Sequence, residues 1–151
     1  GATHIMKKTL ITLTVVAGCL LLQGPAFAQD AAASDTLYKA FGEKPGIAQL
    51  MDDFVNRLVV DPRIGHMFKK TKPANLKEQL TDQVCQASGG PCKYEGNPMK
   101  SGHADLGITR ADFNALVEVL QTSMDAKGIA FRSQNQLLAL LAPMHRDIIT
   151  K

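Results

Sequence analysis

The chain has 151 residues, 45% of them hydrophobic, with three cysteines, no tryptophan and a formal charge of +3. Two of the lysines, Lys7 and Lys8, belong to the leader described next, so the remainder is close to neutral, which argues against a nucleic-acid partner. One domain of ordinary size, large enough to bury its own core, is expected.

Gly1–Ile5 reads as a cloning remnant, because Met6-Lys7-Lys8 looks like a natural start. Thr9–Leu22 is apolar and uncharged, and Ala26-Phe27-Ala28 follows as a small-residue site. A basic start, a short apolar run and an A-x-A site make residues 6–28 a secretory signal peptide. The run is shorter than the roughly 20 residues of a membrane span. Val16-Ala17-Gly18-Cys19 resembles a lipobox, but apolar residues continue past Cys19 and a better cleavage site follows, so release after Ala28 is favoured over acylation. The expected product is residues 29–151, exported as a periplasmic or secreted protein, with no membrane association after cleavage. It keeps Cys85 and Cys92, and an even pair in an exported chain reads as a disulfide, with two free thiols as the alternative.

Every periodic stretch beyond the leader is helical. Ser34 or Asp35 can cap a short helix running to Phe41 and ended by Gly42. Ile47, Leu50, Met51, Phe54, Val55, Leu58 and Val59 then recur at i, i+3, i+4, i+7 spacing, one apolar stripe stopped by Asp61-Pro62. Pro73 suits the first turn of a third helix bearing Leu76, Leu80 and Val84, terminated by Gly89-Gly90-Pro91. Thr109 to Asp112 matches a capping box ahead of Phe113, Leu116, Val117, Leu120 and Met124, with Gly128 as the stop. Ser133 to Gln136 reads as a second capping box, before Leu137, Leu138, Leu140, Leu141, Met144 and Ile148. Pro143 should kink or break that last helix. No segment alternates as a half-buried strand does, so the fold class is all-α.

Two connections, Gly65–Lys72 and Gly89–Met99, are long for helix–helix links, and such loops usually shape a site or hold a cofactor. The second leads to His103. Apart from His4 of the remnant, the histidines are His66, His103 and His145, and no two stand at metal-pair spacing. No CxxCH offers covalent haem attachment, and Cys85 and Cys92 are too far apart for a CxxC motif. Residue chemistry alone leaves His103 either solvated or a ligand.

Three strings decide between them: "DDFVNRLVVDPRIGHMF", "ASGGPCKYEGNPMKSGHADLGIT" and "LLALLAPMHRDII". In order and with few gaps, they resemble a group 1 truncated haemoglobin over Thr36–Ile149. The resemblance implies a two-on-two helical globin fold around one noncovalent haem b. It makes His103 the proximal histidine on the haem iron and Phe68 the phenylalanine on the haem face. Leu76 and Leu80 become the distal positions above the iron. Phe54, Val84, Met99, Ile108, Phe113 and Leu116 fall where the family lines its pocket.

The chain departs from that pattern at Val55, where most group 1 members carry a tyrosine that hydrogen-bonds the bound gas. The distal face then lacks an evident donor; Gln79 and Gln83 flank the stripe and are expected to point to solvent, with entry of either into the pocket as the alternative. The Cys85–Cys92 pair would tie the distal helix to the loop leading to His103. The leading expectation is a noncatalytic protein that reversibly binds oxygen, nitric oxide or carbon monoxide, with a reductase as its possible protein partner. A haem enzyme of nitric-oxide or peroxidase type and a six-coordinate electron-transfer protein are the alternatives.

Overall fold

A computed structural model describes residues 36–151, which contain helix and loop and no strand. The leader, its cleavage sites and the cap proposed at Ser34 or Asp35 lie outside the described residues. Residues 36–40 are helical (α1). They are followed by α2 (Glu43–Leu58), a 3-10 turn at Gly65–Phe68, α3 (Pro73–Ala87), α4 (Met99–His103) and α5 (Arg110–Ala126). The chain then runs through α6 (Phe131–Leu141), a second 3-10 turn at Ala142–Met144 and α7 (His145–Ile148).

The α2 stripe is buried as its periodicity requires: Ile47, Leu50, Met51, Phe54, Val55 and Leu58 all face inward. Fully burying such side chains contributes about 1.5–3 kcal/mol each. The helix enters through Gly42, whose φ of +78° lies in the left-handed region that glycine adopts without penalty. α2 packs most extensively on α3 and next on α5, while α6 closes against α3 and α5. Two pairs of helices, α2 with α3 and α5 with α6, thus enclose the core. Lys77–Asp52 at 2.6 Å and Lys44–Asp82 at 2.9 Å stitch α2 to α3 at the surface, where ion pairs contribute little.

Helix starts follow local chemistry. Pro73 occupies the first turn of α3, where its missing N–H would have had no partner. Thr109 and Asp112 form both halves of the expected capping box on α5. The second box does not form. α6 begins at Phe131 with Ala130 as its N-cap, so Ser133 already lies inside the first turn. The buried Gln134 amide explains the earlier start, because it donates to Asp125 Oδ1 at 2.8 Å and to Ile129 O at 2.9 Å. Pro143 breaks the last helix rather than bending it, leaving the 3-10 turn between α6 and α7.

α4 and α7 pack on each other, apart from the main core. Beside them the chain closes on itself: Thr150 and Lys151 N–H donate to Ile108 O at 2.9 and 3.1 Å, and Ile108 N–H donates to Thr150 Oγ1 at 3.0 Å.

Candidate functional site

α3 carries one wall. Val84 is buried in the core, whereas Leu76 and Leu80, on the same stripe, pack against the core but stay half-buried. Phe68, delivered by the first 3-10 turn, and Leu116 of α5 share that intermediate state. Phe54, Val55 and Ile108 are buried. An apolar face anchored in a core and left partly open is one a flat apolar group can cover.

A second wall is offered by α4, only five residues long, with Met99 and His103 one turn apart and both half-buried. His103 Nδ1 lies 2.7 Å from Met99 O. A carbonyl can only accept, so this nitrogen carries the proton and donates. In the neutral tautomer that donates from Nδ1, the Nε2 lone pair is available to a metal, and the carbonyl fixes the ring's orientation. Behind α4, Phe113 of α5 meets His145 edge-on, with centroids 6.5 Å apart.

The two walls are joined from the end of α3. Cys85 and Cys92 are bonded as a disulfide, so the pair is not two free thiols. Gln86 Oε1 accepts the Tyr94 N–H at 2.6 Å, and Tyr94 Oη donates to Asn97 O at 2.9 Å just before α4.

Gln83 corrects the expectation of a solvent-facing side chain. It is half-buried, and Nε2 lies 3.6 Å from Met99 Sδ and 3.5 Å from Met144 Sδ. Gln79 is exposed, as expected. The wheel distinguishes them: Gln83 is seven residues from Leu76 and returns to within about 20° of it, while Gln79 lies about 60° away. That spacing is the signal by which Gln83 could have been placed inside. Met144, which joins it, keeps the spacing of the Leu137 and Leu141 stripe but stands beyond the proline break, in the second 3-10 turn.

The donor set fits an iron porphyrin. An imidazole oriented through Nδ1, whose neutral tautomer offers Nε2 to a metal, stands on α4, and no cluster of three or more acidic, cysteine or histidine side chains among the described residues competes for metal. A surface depression of about 380 Å³ lined by Glu118, Gln121, Thr122, Asp125, Phe131 and Gln134 includes none of these groups.

The model of the bacterial-like globin family matches residues 36–150. The group 1 truncated haemoglobin GlbN of Nostoc sp. (strain MUN 8820) is 28% identical over 116 residues, covering 77% of this chain and 98% of its own length. The group 1 truncated haemoglobin of Tetrahymena pyriformis is 24% identical over 116 residues, covering 77% and 96%. The crystal structure of truncated haemoglobin from Tetrahymena pyriformis, Fe(III) form, has a TM-score of 0.73 at 23% identity, covering 76% of this chain and 98% of that one. The 2/2 haemoglobin from Synechococcus sp. PCC 7002 gives 0.71 at 21% identity over 76% and 98%. With two helix pairs, a shared fold and a family match over nearly all of the described residues, the chain belongs to the bacterial-like globin family and is a truncated haemoglobin of group 1.

Proposed function

We propose that this globin holds one haem b noncovalently, with His103 as the axial ligand, and reversibly binds a diatomic gas on the opposite face. The observation that carries the reading is the 2.7 Å contact between His103 Nδ1 and Met99 O. It leaves Nε2 as the ligating nitrogen, on a ring that cannot swing freely. When bound, haem supplies an iron centre with a position open to the gas. Leu76, Leu80 and Phe68 exclude water from that face, while Met99 and Phe113 support the other. Val55, fully buried on α2, offers dispersion contacts and no hydrogen bond.

The leader supports export, and we propose that the protein acts in the periplasm or outside the cell, released after Ala28. Intact mass of the exported form checks this. A chain starting at Gln29 agrees, and a lipid-bearing Cys19 overturns it.

The test of the haem reading is spectroscopic. Reconstituted protein should show a Soret band, and His103→Ala should lose or severely weaken it while keeping its helical circular dichroism. Imidazole added to His103→Ala should restore the band. An unchanged spectrum in His103→Ala would show that another residue ligates the iron.

A further inference from the structure

The last turn of α3 grips the histidine segment at three points. Cys85 is bonded to Cys92, Gln86 to the Tyr94 N–H, and Gln83 meets Met99, whose carbonyl orients His103. Only the first is covalent, and only the first can be opened and closed by chemistry. Inside that ring Gly90 donates its N–H to Cys85 O at 2.8 Å. A Cβ on Gly90 would come within 2.5 Å of the Tyr38 ring and 2.7 Å of Cys85 Sγ. Loop path and disulfide therefore depend on each other. The two sulfurs are also unequal: Cys85 has no exposed surface, while Cys92 is half-buried on the loop.

We propose that Cys92 is the entry point for thiol–disulfide exchange with a dithiol reductant, and that the state of the Cys85–Cys92 bridge sets how firmly His103 holds haem. The inference rests on the haem reading above. A thiolate of the dithiol attacks Cys92 Sγ, the Cys85–Cys92 bond breaks, and Cys85 leaves with the electron pair and takes a proton. The second thiolate of the dithiol then attacks its own sulfur in the mixed disulfide and expels the Cys92 thiolate, which is protonated. The dithiol departs as an internal disulfide, having given two electrons, and the chain carries two thiols. Hydrogen bonds and the weak amide–thioether contact remain to hold the loop. The segment before α4 regains freedom that haem binding must again remove.

Couplings between two sites commonly reach about 5–150-fold, and linkage makes them reciprocal. We expect the reduced protein to bind haem about tenfold more weakly than the oxidised one, read as release about tenfold faster with association unchanged. Haem should in turn make the bridge harder to reduce by the same factor, a potential lower by about 30 mV for a two-electron couple.

The experiment has two arms. Haem transfer to an acceptor apoglobin is timed for oxidised wild type, for wild type reduced by a thiol-free phosphine, and for Cys85→Ser/Cys92→Ser with and without phosphine. Separately, the bridge is titrated in dithiothreitol buffers, as apoprotein and as the carbon monoxide complex of the haem-loaded form, with free thiols trapped by alkylation. Faster release on reduction, matched by the double variant and absent from its own response to phosphine, is the expected result. Equal release from oxidised and reduced wild type, with intact Soret bands and helicity, overturns the inference and leaves the haem reading standing. The absence of a Soret band from both forms overturns the haem reading first.

Discussion

In the proposed gas pocket, Val55 is the position at which a single side chain should set the chemistry. A distal donor stabilises bound oxygen by roughly 1.5–3 kcal/mol when the hydrogen bond is charge-assisted, and carbon monoxide, being less polar, gains much less. Val55→Tyr should slow oxygen release about ten- to a hundredfold in stopped-flow measurements and leave carbon monoxide release nearly unchanged. Val55→Phe, which adds bulk without the hydroxyl, should not slow oxygen. Gly90 is the other decisive position. Gly90→Ala drives a methyl against the Tyr38 ring and Cys85 Sγ. Urea unfolding should register a loss of about 1–3 kcal/mol, as overpacking does elsewhere. Sequence made His103 legible through the string around it, whereas the inward turn of Gln83 was obscured, because a polar residue beside an apolar stripe usually faces water.

Among the elements, α5 shows how a helix start responds to solution conditions. Thr109 Oγ1 accepts the Asp112 N–H, and Asp112 Oδ2 accepts both the Thr109 N–H and hydroxyl. Thr109→Ala should cost about 1 kcal/mol in denaturant unfolding. The Thr109 backbone N–H, then its hydroxyl, hold the Asp112 carboxyl below the usual carboxylate range. Its folded value is lower than its unfolded value near 3.9, so its contribution to stability is full above that pH and is lost as pH falls through the folded value. The stability gap between wild type and Asp112→Asn should therefore close under acid, which unfolding midpoints from pH 6 downward would read. Helices with local signals were readable in advance: the Ile47–Leu58 stripe, Pro73 and the Thr109 box. The Ser133 box was not, because the interaction that starts α6 three residues earlier is a tertiary contact from Gln134 to Asp125. α4 and α7, five and four residues long, are too short for periodicity to report.

At the scale of the molecule, a ligand that binds only the folded chain adds to its stability by mass action, about 4 kcal/mol at a thousandfold excess over Kd. Haem should thus raise the thermal midpoint of the wild type in calorimetry, and His103→Ala should forfeit most of that rise. A two-on-two packing was implied by family resemblance, not by periodicity, which supplies helices without their neighbours, and the structure supplies the pairs, α2 with α3 and α5 with α6. The closure of residues 150 and 151 onto Ile108 had no sequence signal at all. Its consequence lies in the order of assembly. α2 and α3 are near neighbours in the chain and can pack as soon as both have emerged, because short-range contacts cost little loop entropy. The Ile108 latch needs Thr150 and Lys151, so the segment after α4 is secured only once residues about 40 positions further along have been made. A chain appearing N-terminus first can therefore raise the α2–α3 layer well before the segment that follows α4 is tied down.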